Sequence, residues 1–274
     1  MNKYIFMAVA GMLALSSCSN DDNDMTTQNA PRQMTFTAGY NEGAQTRATM
    51  NFSTKKVRFD PNDEISILSA NNDNVKFTTT AGGASATFSG TAADDSKFYA
   101  VYPYTAGLTL NSLTGVISGI VIPTSQWDSA WSSTDDGTSS WDPKAPIAYA
   151  INEGTSLQFH NLCAILKIYA TGNWNGSITI SADQDLAGTF SLNTSTTPAT
   201  LTATAGSKTV TIGGSYPNIV KACDKYLYIA IAPGNYTHFK VSAKDGDASY
   251  EGTKNSFTFE AGKIYNLGDI TPGY

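Results

Sequence analysis

The sequence predicts an all-β protein made of two β-sandwich domains, and three observations carry that expectation. Period-two alternation of apolar and polar residues recurs in short runs bounded by Gly, Asn, Asp or Pro, the pattern of half-buried strands. The 274 residues include 23 glycines and 14 tyrosines, with only 15% charged residues, a composition that favours strands and turns over helices. After the N-terminal segment, no stretch of ten or more residues has amphipathic helical spacing.

In chain order, residues 1–17 read as a signal peptide outside the fold, with Lys3, the apolar run YIFMAVAGMLAL and then small residues. That run is shorter than the roughly 20 apolar residues that span a bilayer. It closes on LSSC, Leu15 to Cys18, which resembles the bacterial lipobox. The resemblance implies cleavage just before Cys18 and attachment of three acyl chains there, a firm anchor at about 0.8 kcal/mol per buried CH₂. Residues 18–32 form a tether, and its SNDDND stretch is acidic and apolar-poor, as a solvated segment should be.

The first strand is expected at 33–40, QMTFTAGY, where alternation places Met34, Phe36, Ala38 and Tyr40 on one face. Further alternating runs follow at 64–70, 97–104, 162–170, 177–182, 208–214, 226–233 and 238–244. The polar, glycine-containing break NEGTS (152–156) divides them. The expected domains are therefore 33–154 and 155–274.

Composition and motifs exclude most chemistry. The formal net charge is −6 and no cluster of Lys and Arg is present, so nucleic acid is not an expected partner. No G-x-S-x-G elbow, H-E-x-x-H helix or phosphate-cradling glycine loop occurs, so neither an enzyme nor a cofactor is predicted. His160 and Cys163 are three apart in a strand pattern, which points them to opposite faces and argues against a zinc site with His238 and Cys223. Cys163 and Cys223 either form a disulfide, worth about 4 kcal/mol on the chain-entropy model, or are buried thiols behaving as small hydrophobes. Acidic pairs such as Asp94 with Asp95 fall in turn-like sequence, where local backbone hydrogen bonds explain them.

Two features point to recognition. Trp127, Trp131 and Trp141 lie in a loop otherwise rich in Ser, Thr, Asp and Gly. They form either a platform for a sugar or a protein partner, or an apolar plug for the sandwich. The chain also has only three arginines, Arg32, Arg47 and Arg58, confined near its start, while lysines run from Lys3 to Lys263.

Several stretches in order, TRAT, FYAVYPY, IPTSQW, PIAYA, LQFHNLCAILKIYA, DLAGTF, LYIAIAPGNYTHFKVSAKDG and FEAGKIYNL, together with the lipobox and acidic tether, resemble the Bacteroidales fimbrillin-like proteins, subunits of type V pili. In RFDPNDEISIL (58–68), Phe59 and Asn62-Asp63 stand where that family usually has a tryptophan and Gly-Asp. The resemblance implies two transthyretin-like β-sandwich domains in tandem and export as a lipoprotein to the outer membrane and cell surface. It implies cleavage by an arginine-specific protease between Arg47 and Ala48, releasing the lipid and strand 33–40. It further implies that the emptied groove takes a strand donated by another fimbrial subunit, with main-chain hydrogen bonds providing the affinity. Arg58 is then expected within or beside a strand, out of the protease's reach. After GKIYNL (262–267) only GDITPGY remains, and Pro272 cannot donate to a ladder, so the chain is expected either to be a tip or accessory subunit that donates no strand or to swing KIYNLGDI itself out as the donor. The alternative is a non-polymerising surface lipoprotein that binds a glycan or host protein through the tryptophan loop.

Overall fold

The computed structural model describes residues 30–40, 49–51, 56–126, 139–142, 145, 147–170, 176–212, 225–245 and 248–270. Among the described residues the chain forms strands and no helix. In chain order they begin with β1 (Arg32–Tyr40), β2 (Thr49–Asn51), β3 (Lys56–Arg58), β4 (Glu64–Ser69), β5 (Asn72–Thr79), β6 (Ser85–Ala92) and β7 (Phe98–Tyr102). There follow β8 (Thr109–Asn111), β9 (Val116–Ile122), β10 (Ser125–Gln126), β11 (Ser139–Trp141), β12 (Ala148–Asn152), β13 (Ser156–Asn161) and β14 (Ala164–Ala170). The rest are β15 (Gly176–Ser181), β16 (Ala187–Asn193), β17 (Thr200–Ser207), β18 (Thr209–Ile212), β19 (Lys225–Ile231), β20 (Gly234–Asp245), β21 (Ala248–Phe259) and β22 (Ile264–Ile270).

Seven strands close a barrel in the order β1-β13-β12-β7-β4-β5-β6. Closure leaves no free edge in that sheet, which is how small all-β units avoid unpaired backbone. The remaining strands form a five-stranded sheet β10-β18-β15-β20-β21, a four-stranded sheet β11-β19-β14-β22 and a four-stranded sheet β17-β16-β9-β8, with β2 and β3 as a separate pair.

Two hydrophobic cores result. Inside the barrel, Phe36, Phe59, Phe77, Phe88 and Phe159 are fully buried with Ile65, Ile67 and Leu157. The larger core joins Ile165, Ile168, Ile178, Ile180, Leu186 and Val210. β7 serves both cores, because Phe98, Ala100 and Tyr102 face the barrel interior while Tyr99 and Val101 face the larger core. A strand buried on both faces reads as a continuous apolar run, and FYAVY is one.

The sheets do not divide at 154/155. That position lies between β12 and β13, which pair antiparallel within one barrel. Conversely, β8 and β9 leave the barrel, and β9 pairs along its length with β16, some 70 residues on. Leu108, Ile117, Ile120 and Ile122 consequently belong to the larger core. The last crossing between cores falls at Asn161–Cys163, since Phe159 is in the barrel and Leu162 and Cys163 are in the larger core.

Two backbone positions explain local sequence choices. Asn62 has φ 71°, in the left-handed region that Asn and Gly tolerate best. Gly90 on β6 has the Phe77 ring above it, and a Cβ there would lie 2.8 Å from that ring. Glycine therefore lets the aromatic layer close over β6.

Candidate functional site

The site begins with β1, because it joins two strands that have no other partner across that gap. On one side it pairs antiparallel with β6 from Arg32↔Ala92 to Gly39↔Ser85. On the other it runs parallel to β13, from Thr37↔Ser156 to Tyr40↔Phe159, and Thr37 donates its N–H to Thr155 at 2.8 Å. Without β1, both β6 and β13 would be edges of an opened sheet.

Its inward residues fill four successive sites. Met34, Phe36 and Ala38 are buried, and Tyr40 is half-buried against the same core. Phe36 sits between Phe77 and Phe98, with ring centres 5.2 and 5.0 Å away in edge-on contacts, the geometry that the aromatic quadrupole favours. Ala38 is fully enclosed opposite Ala86 on β6 and Leu157 on β13. Tyr40 stacks on Phe59 at 5.2 Å and approaches Phe159 at 5.8 Å. The alternate residues Gln33, Thr35 and Thr37 are exposed.

The start of β1 is held by an ion pair that sequence reasoning missed. Arg32 donates from Nε and from a terminal nitrogen to the two oxygens of Asp94, each at 2.7 Å. The hydrogen bond from Arg32 holds the Asp94 carboxyl below its ordinary value, and Asp94 in turn raises the guanidinium. Asp94 is itself fixed, because Asn71 donates from its side chain to the Asp94 carbonyl at 3.1 Å and from its backbone to the Asp95 carboxylate at 2.9 Å. Behind that turn, buried Asn72 accepts from Ala93 N–H at 2.6 Å and donates to the Ala93 carbonyl at 2.7 Å. The turn reading of Asp95 holds, with Ser96 N–H bonded to it at 2.7 Å. Asp94 looked identical in sequence, and only a partner 62 residues away distinguishes it.

The other predicted residues are placed as follows. Cys18, Arg47, Ala48, Trp127, Trp131 and Cys223 lie outside the described residues, so cleavage at 47/48, the lipid site, the tryptophan platform and the Cys163–Cys223 bond are not read from the geometry. The backbone of Trp141 ends β11, in parallel register with Tyr228. Cys163 is fully buried, with Sγ 3.7 Å from the Ala145 carbonyl oxygen, while His160 is exposed on β13. Among the described residues no group of three or more His, Cys, Asp and Glu could hold a metal ion. Arg58 ends β3 and pairs with Asp60 at 3.5 Å. The next residue, Phe59, is fully buried and bonded to Gly83 through both its N–H and its carbonyl. The C-terminal strand β22 lies parallel to β14 from Ile264 to Ile270, with a bulge after Lys167.

No protein-family model and no curated protein matches the chain. Among solved structures, a candidate cell adhesion protein from Bacteroides ovatus is similar at 17% identity and a TM-score of 0.50, over 88% of this chain and 93% of that one. A candidate cell adhesion protein from Bacteroides uniformis is similar at 15% identity and a TM-score of 0.51, over 86% and 92%. At such identity the likeness is one of fold, and it extends over nearly the full length of each chain.

Proposed function

We propose that this chain is a structural or adhesive subunit of a cell-surface fimbria, exported as a lipoprotein on Cys18, cut between Arg47 and Ala48, and assembled by strand exchange. The observation that carries this reading is the position of β1. It is the closing strand of a barrel, it has partners on both sides, and Arg47 follows it by seven residues. Removing a strand so placed opens a groove walled by Phe77, Phe88, Phe98 and Phe159 and flanked by two unsatisfied backbone edges, which an extended segment from a partner subunit can fill by β-augmentation. The other two arginines support the choice of Arg47. Arg32 is paired in the β1–β6 ladder and bonded to Asp94, and Arg58 precedes a residue fixed on both sides to Gly83. A protease must draw its substrate segment into its own cleft, which the ladder pairing of Arg32 and the anchored Phe59 beside Arg58 oppose. The likeness in fold to candidate adhesion proteins from two Bacteroides species agrees with a surface role.

The test is the N-terminal sequence and acyl state of the protein recovered from the cell surface. A chain starting at Ala48 without lipid is expected. A chain starting at acylated Cys18 with β1 still attached would overturn the reading.

A further inference from the structure

The four β1 sites differ in size, and their order is asymmetric. The Met34 site lies opposite Gly90, which carries no side chain. The Phe36 site is an aromatic slot between Phe77 and Phe98. The Ala38 site is closed by Ala86 and Leu157, and the Tyr40 site is a stacking surface on Phe59. A strand seated two residues too far forward would bring its Phe36 equivalent to the Ala38 site. Seated two residues back, it would bring its Tyr40 equivalent there. Seated in reverse, it can return its Ala38 equivalent to the same site with the Phe36 and Tyr40 equivalents exchanged, but Arg32 then lies at the end of the groove away from Asp94. Both two-residue slips therefore force an aromatic ring into the smallest site, a one-residue slip turns the apolar face outward, and a reversed strand carries its basic residue away from Asp94.

We infer that the groove vacated by β1 reads the register and direction of an incoming strand, with the Ala38 site discriminating register and Asp94 discriminating direction by anchoring a basic residue at the strand's start. This rests on the strand-exchange reading above. The partner segment has the chemistry of β1, with a basic residue first, an aromatic four positions later, a small residue two beyond that and an aromatic two further on. It runs antiparallel to β6 and parallel to β13. Asp94 suits this role because Asn71 and Asn72 hold its turn independently of β1, so the carboxylate stays in place when Arg32 leaves.

The experiment uses the full mature chain cut after Arg47, unfolded and refolded with a large excess of labelled peptide RQMTFTAGY. Retention of that peptide is compared with its Ala38→Leu and Arg32→Glu versions, on the native chain and on Asp94→Arg. Overpacking a closed site makes the Ala38→Leu peptide bind about tenfold more weakly or worse. The Arg32→Glu peptide loses about threefold on the native chain, as befits an exposed bidentate pair, and recovers on Asp94→Arg. Equal retention of the native and Ala38→Leu peptides, or no effect of exchanging the charges, overturns the inference and leaves strand exchange standing. A refolded chain that keeps its own cut segment but never takes up the native peptide overturns strand exchange, and the inference with it.

Discussion

At the scale of single residues, Asp94 shows what alternation and motifs leave hidden. Its partner Arg32 is far away in sequence, and an aspartate in a turn has the same signature whether it bonds its own backbone, as Asp95 does, or a distant guanidinium. Residues that act through local geometry were more legible. Met34, Phe36 and Ala38 announced their shared face by spacing alone, and all three are buried. The pair at Asp94 also has a pH dependence of defined sign. Its folded-state pKa is lowered from 3.8, first by the hydrogen bond from Arg32, so its stabilising effect is fully present above 3.8 and is lost below it, as pH falls through the lowered folded value. The stability difference between the native chain and Asp94→Asn, from urea midpoints, is expected to be constant above about pH 5 and to shrink below 3.8. A difference that grows on acidification would show that Asp94 contributes by another route.

At the scale of elements, β1 was legible as a strand but its neighbours were not. Its antiparallel partner β6 and its parallel partner β13 lie about 50 and 120 residues further on, and no local signal encodes such pairings. The run LQFHNLCAILKIYA looked continuous, yet Phe159 and Cys163 lie in different cores because the chain changes sheets between β13 and β14. HFKVSAK proved to be the C-terminal part of the longer strand β20, where His238 at φ 50° interrupts the ladder to β21. β1 itself supplies a prediction. Deleting residues 30–40 exposes Phe77, Phe88 and Phe98 along two open edges, and such edges template association with other chains. The truncated chain is expected to bind an apolar dye such as ANS strongly and to self-associate, as read by fluorescence and light scattering. Dye binding equal to that of the intact chain would mean that the barrel recloses without β1.

At the scale of the whole molecule, the all-β class was legible because composition and alternation agreed, whereas the domain arrangement was not. A sequential split at 154/155 assumes that neighbours in sequence share a sheet. Instead β9 crosses to β16, and the β12–β13 hairpin returns to the barrel. The two cores also share walls, because Leu68, Tyr99 and Val101 on barrel strands pack into the larger core. Disrupting one core therefore strips packing from the other. Urea unfolding is expected to be a single transition, with amide exchange of β6 and β14 giving the same midpoint. Two separated midpoints would show that the cores unfold independently.

The mixed pairing of β1 has a mechanical consequence. A strand held in this groove and pulled along its own length loads its eight register positions against β6 and its four against β13 together. Tension along the strand has no first rung to open, so it acts on both ladders in shear. Force at right angles would peel the rungs one after another. Such a seating yields at a rate set by the barrier to simultaneous rupture, and resists a pull along the strand better than a sideways tug.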